Sequence, residues 1–266
     1  MAGRSQIARV RVLLDDVTSF DPGALVLFCS AVRELGRVGI IVQGTWPKAP
    51  RAVKTLADAA FTRFLRGKQP SYDDTTKTLQ LYEGTSKRRV PTGLAQSVRL
   101  FLKNLNPALG VEEIDTIDLA IRECLENVRV HAYGRVRASK SPKRWYVAGL
   151  HDQDAGVSKV AILDLGVGIR ATVERQMAVF TRVLQRVLRP THELIKEATL
   201  GRLTASGLSH RGKGLSSLRE FAGRGPGRTL RVQSSDGMVT WSSSGPSSRA
   251  IPKVKGTLVC LEIHTK

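Results

Sequence analysis

Of 266 residues only three are cysteine, and Cys29, Cys124 and Cys260 lie far apart within apolar runs. None has zinc-ligand spacing, and so sparse and odd a set argues against a disulfide framework. Buried free thiols are the expectation. No secretory apolar region follows the N-terminus, and no apolar run approaches the roughly 20 residues of a membrane span. A soluble, cytoplasmic chain is therefore expected. The pattern G-x-x-x-x-G-K followed by Ser or Thr is missing, which excludes a P-loop NTPase. Gly207-Leu208-Ser209 runs into His210 and does not form G-x-S-x-G, so a hydrolytic serine has no support. Internal repeats are also lacking. Acidic residues are scarce against basic ones, 23 Asp+Glu to 42 Lys+Arg, for a net charge of +19. Such a field favours anionic partners, among them nucleotides, nucleic acid, acidic proteins and anionic membrane surfaces, without choosing among them.

What is present is enough apolar content, 41%, for real cores, in a length that allows one large domain or two ordinary ones. Residues 7–14 read as a strand, and Asp21-Pro22-Gly23 as a helix start with an Asp cap and Pro in first position. That helix runs through Leu35, followed by a strand over 38–42 and a helix over 53–65, a small α/β unit spanning 1–68. Residues 69–76 are polar and turn-rich, a linker. Beyond it come an edge strand over 79–82, a helix over 94–105 and a long helix from Val111 to Ala132. Two strands, 144–150 and 157–163, form a hairpin whose loop contains Gly156. A basic, helical insert occupies 170–211. A helix from Leu215 and strands over 229–234, 238–242 and 257–263 finish the chain, with a Ser/Gly/Pro loop over 243–253.

Three stretches carry chemistry. On the long helix Glu123, Asn127 and His131 stand four residues apart and climb one face, beside a burial face of Ile117, Ile121, Cys124, Leu125 and Val128. A carboxylate beside a carboxamide suits a metal–phosphate site: the amide oxygen coordinates a hard cation while the carboxylate orients or deprotonates a water or hydroxyl. The buried strand over 159–163 ends in Asp164-Leu165-Gly166-Val167-Gly168-Ile169, where Asp164 can accept from an exocyclic amine and the glycines let a flat ligand approach. Gly212-Lys213-Gly214-Leu215 puts glycines and a cation at a helix start, where backbone N–H groups attract phosphate. Each has a plainer reading. Glu123 and Asn127 alone are a solvated helix face, His131 a core histidine at a helix end, and the basic insert a solvated helix pair. Gly166, Gly168 and Ala171 also satisfy the dinucleotide fingerprint G-x-G-x-x-A, but the acidic residue on a second strand that it requires has no counterpart.

In this order and spacing the three motifs resemble the GHKL-type ATP-binding domain, the Bergerat fold shared by gyrase, heat-shock chaperones, histidine kinases and MutL. The resemblance covers 77–266. Glu123 and Asn127 match its E-x-x-x-N box, and His131-Ala132-Tyr133 looks like the anti-sigma-factor serine kinases. Asp164, Gly166, Gly168 and Ile169 match D-x-G-x-G-I. Gly212, Gly214 and Leu215 match the second half of G-x-G-x-G-L, with His210 where the first glycine is expected. Gly256-Thr257 resembles the family's G-T on the last strand. The resemblance implies a mixed sheet covered by helices on one face, with ATP and Mg²⁺ as cofactors. It implies Glu123 as general base, Asn127 as the Mg²⁺ ligand, and His131 among the ATP-binding residues. Asp164 and Thr257 would meet the adenine, Gly166, Gly168 and Ile169 would shape its pocket, and Gly212, Lys213, Gly214 and Leu215 would meet the phosphates. The insert 170–211 would be the ATP lid. Residues 5–67 resemble a STAS domain, the fold of anti-anti-sigma factors, with Pro22 near the place of the family's phosphorylatable serine.

The reading that follows is an α/β protein with two units, a STAS-like one and a Bergerat-type sandwich. Its function would be that of an Mg·ATP-binding regulatory switch on a protein partner, with ATPase or serine/threonine-type kinase potential. A homodimer is what the resemblance implies. Two alternatives stand beside it. One is an ATP-gated nucleic-acid binder using Arg135, Arg137, Lys140, Lys143 and Arg144, a patch poor in aromatics for base stacking. The other is a scaffold that binds ATP without hydrolysing it.

Overall fold

The computed structural model describes residues 8–68, 72–73, 78–85, 91–105, 109–130, 144–177, 189–201 and 214–264. At the N-terminus β1 (Arg9–Val12) pairs in parallel with β2 (Ile41–Gly44), and α1 (Pro22–Arg37) connects them. Asp21 caps α1, its carboxylate accepting from the Gly23 N–H at 2.8 Å, with Pro22 supplying the preset φ of a first helical residue. The helix expected over 53–65 is two, α2 (Pro50–Asp58) and α3 (Phe61–Leu65). Ala60 sits between them in the left-handed region at φ 53° and turns the chain.

The main sheet runs β3-β4-β5-β6-β8-β7, built from β3 (Tyr72–Asp73), β4 (Thr78–Thr85), β5 (Arg144–Asp152), β6 (Val157–Asp164), β7 (Arg228–Ser242) and β8 (Gly245–His264). Every ladder is antiparallel, where a mixed sheet was expected. The three short C-terminal strands anticipated from the sequence are one long hairpin turning at Ser243–Ser244, so most of the expected 243–253 loop is strand. Cross-strand pairing wins there over the loop-forming composition.

Helices lie on both faces. Against one pack α4 (Thr92–Leu105), α5 (Val111–Val130), α7 (Thr191–Thr199) and α8 (Gly214–Gly223), burying Phe101, Ile117, Ile121, Ile195 and Phe221 on Val147, Ile162, Val232 and Val259. Against the other pack α1, α2 and α3, burying Leu25, Val26, Cys29 and Leu56 on Tyr146, Ala161, Leu163 and Leu258. Successive strand residues serve opposite faces, which is why 160–163 is an unbroken apolar run. Each fully buried Leu or Val stabilises by about 1.5–3 kcal/mol. The N-terminal unit thus shares its core with the sheet, and the face expected to be open is covered.

The C-terminal side of the insert is also built in. Leu194, Ile195 and Thr199 of α7 are buried, and the Trp241 Nε1–H donates to Thr199 Oγ1 at 3.1 Å. Thr191 bonds Asp236 and accepts from Arg170 Nε at 2.8 Å, tying α7 to α6 (Gly168–Met177) and to β7. Within the expected lid, 170–211, α7 is therefore a packed element; residues 178–188 and 202–213 lie outside the described residues. Among the described residues no helix is long and apolar enough to cross a membrane, and the expectation of a cytoplasmic protein reduces to that statement.

Candidate functional site

Strand register lines up four side chains in one row across the face covered by α5. Trp145 pairs with Asp164, Asp164 with Thr257, and Thr257 with Ser234. In β6, Val160 and Ile162 precede Asp164 at alternate positions and belong to the core under α5, so parity directs the carboxylate to the same side. Asp164 is half-buried at the strand end. Its Oδ1 accepts from the Gly166 N–H at 2.6 Å, and Thr257 also bonds it. Burial pushes its carboxyl up to about 6, against the pull of the Gly166 and Thr257 hydrogen bonds. A carboxylate so placed presents an acceptor to an amine entering from the helix side.

Ser234 holds the bend beyond Asp164. Fully buried, its hydroxyl accepts from the Ile169 N–H at 2.9 Å and donates to the Gly256 carbonyl at 3.0 Å. Gly256, at φ +82°, lies so close to Asp164 that a Cβ would run into the Asp164 carbonyl oxygen. The loop from Leu165 to Gly168 is thereby pinned between β6 and the β7–β8 pair. Ser234 went unnoticed in the sequence because a serine in a strand carries no motif; only register brings it to the site.

Glu123 is half-buried on α5. A Cβ at Gly214 would stand 2.8 Å from the Ala120 carbonyl oxygen and 3.1 Å from the Glu123 Cβ, so glycine there lets the start of α8 abut α5 beside Glu123. Burial pushes the Cys124 thiol up to about 12, with the charges of Glu123 and Asp164 adding to the effect. Both carboxylates therefore act on one neighbourhood. Leu215 packs on the same core as Ile169. Asn127 follows Glu123 by one turn of α5, its side chain outside the described residues, as are His131, Gly212 and Lys213.

The metal half of the expected Mg·ATP pair is corrected. Among the described residues no group of three or more His, Cys, Asp and Glu side chains converges to hold a metal ion. Glu123 lies beside the start of α8 at Gly214, and Asp164 beside the Gly166 amide and Thr257. Magnesium, and with it the cofactor set as expected, is withdrawn. The basic patch is also altered. Arg144 is engaged by Glu83 at 3.2 Å and Glu34 at 3.4 Å, and the remaining four cations lie outside the described residues.

No family model matches this chain, and no curated protein matches its sequence.

Proposed function

We propose that the chain is a regulatory protein gated by an adenine-bearing nucleotide and acting on a protein partner. The observation that carries the reading is the row Trp145–Asp164–Thr257–Ser234, with the Asp164 carboxylate between Trp145 and Thr257 at the end of β6 and the glycine bend beside it. At the 6-position adenine offers an exocyclic amine where guanine offers a carbonyl oxygen, so an ionised carboxylate that reads this position, and not the 2-position where guanine carries its own amine, favours the former. Glu123 and the start of α8 stand over the same side and bound the ligand's far end.

Gating follows from what the bend touches. Leu165 donates its N–H to the Arg144 carbonyl at 3.0 Å, and the Arg144 side chain joins the carboxylates that hold α1. Gly168 opens α6, which Arg170 ties to α7. A ligand that stiffens the bend biases both the N-terminal helices and the β7–β8 hairpin, two surfaces a partner can read. The engagement of Arg144 by carboxylates favours a protein partner over nucleic acid.

Calorimetric titration of an adenine nucleotide in the presence of EDTA tests the reading. The wild type should bind it and not the guanine counterpart. Asp164→Asn should weaken binding about tenfold to hundredfold, the loss of a charge-assisted hydrogen bond. Equal binding by the variant, or none by the wild type, removes the proposal.

A further inference from the structure

The two-stranded sheet at the N-terminus has an edge with defined chemistry. Ile41 N–H donates to the Ala8 carbonyl at 3.0 Å and Thr45 N–H to the Val12 carbonyl at 3.1 Å. Residues of a strand alternate the side to which both backbone groups point, so Ala8, Val10 and Val12 face β2. Arg9 and Arg11 then turn their N–H and C=O groups outward, where no described strand lies. Their side chains are exposed and share the face of Ile41 and Gln43, while Val10 and Val12 share the other. Val10 is 36% exposed and Leu13, just past the end of β1, 64%. A two-stranded sheet with such surface is short of a strand.

The usual devices that blunt an edge are proline, a bulge or like charge. Residues Arg9–Val12 contain neither proline nor bulge, only the two arginines. Those arginines repel a second copy of the same edge, as does a net charge of +19. They attract an acidic strand.

We infer that the outer edge of β1 docks an extended segment of a partner protein that alternates carboxylate and apolar side chains. The carboxylates lie against Arg9 and Arg11, the apolar side chains against Val10 and Val12, and backbone hydrogen bonds to Arg9 and Arg11 set the register. This gives the partner of the proposed switch a chemical identity, and it rests on that reading only for the partner's regulatory role.

The test is fluorescence anisotropy on the full chain, without nucleotide, using a labelled ten-residue peptide of alternating Glu and Val. It should bind at least tenfold tighter than a peptide of the same composition in two blocks. N-methylation of every second amide should abolish binding, and Arg9→Glu/Arg11→Glu should reverse the preference toward alternating Lys and Val. Both positions are exposed, so the double variant folds, as circular dichroism will verify. Equal binding of the block or N-methylated peptide reduces the contact to bulk charge and overturns the inference, as does an unchanged affinity in the double variant or no binding at all. The titration is run without nucleotide, so its failure leaves the adenine-nucleotide titration untouched and the two readings fail separately.

Discussion

Asp164 is the residue on which pH acts most directly. Its folded-state value near 6 lies above the ordinary 3.8 because burial penalises the charge. Protonation removes the acceptor, so nucleotide affinity should fall as pH drops through 6. Stability runs the other way. A raised acid value means the folded state favours the neutral form, a contribution fully present below about 3.8 and lost as pH rises through about 6. Asn carries no charge yet can still accept from Gly166. Calorimetric melting should therefore give Asp164→Asn a Tm a few degrees above wild type at pH 8 and no advantage at pH 4. A variant that melts earlier at pH 8 would contradict the cause assigned to the shift.

At the scale of the element, the site depends on β8 passing β6 at backbone distance just where the strand ends. Gly256→Ala puts a methyl group into the Asp164 carbonyl at a left-handed φ of +82°. The conformational term alone is about 1–2 kcal/mol, and the collision adds to it, so a urea titration should show a loss of about 2 kcal/mol or more. Gly36, in α1 with nothing within 4 Å of a Cβ, is the control. Its change to Ala should be neutral or stabilise by roughly 0.5–1 kcal/mol. Helices α5 and α8 and strand β7 are tied in turn by Arg228, which bonds Glu113 at 2.7 Å and lies 4.3 Å from the centre of the Phe221 ring. The floor and walls of the site are thus separate elements locked by individual side chains.

For the whole molecule the decisive fact is a sheet covered on both sides, so that the N-terminal helices and the candidate site act on opposite faces of the same strands. Glu83 of β4 anchors that arrangement. With 11% of its side chain exposed, it takes Arg33 at 3.0 Å, Arg144 at 3.2 Å, and Arg37. Arg37 also donates to the Tyr146 hydroxyl at 3.2 Å. Glu83→Gln leaves three guanidinium groups without their shared carboxylate. It should destabilise by about 2–3 kcal/mol, less than a fully buried pair because the arginines stay partly solvated. Chemical denaturation should remain a single transition, since α1 and the sheet bury one another; two resolved transitions would mean the units hold separate cores.

Periodicity and capping made most elements legible: the α1 start at Asp21-Pro22-Gly23, the α5 burial face of Ile117, Ile121, Cys124 and Leu125, and the β5–β6 hairpin are local signals that tertiary contacts reinforce. Ala60 and the 243–253 segment misled because a left-handed break and a paired hairpin overrode local preference. Asp164 with its glycines could be picked out as a site in the chain itself, since an acid and two glycines after a buried run have a meaning at fixed spacing. Ser234 could not, because it lies 65 residues from the Ile169 amide it serves. Which face of the sheet each helix covers, and whether carboxylates gather into a metal cluster, are properties of distance between remote segments. Those were decided only when the strands paired in register and the two cores closed on either side of them.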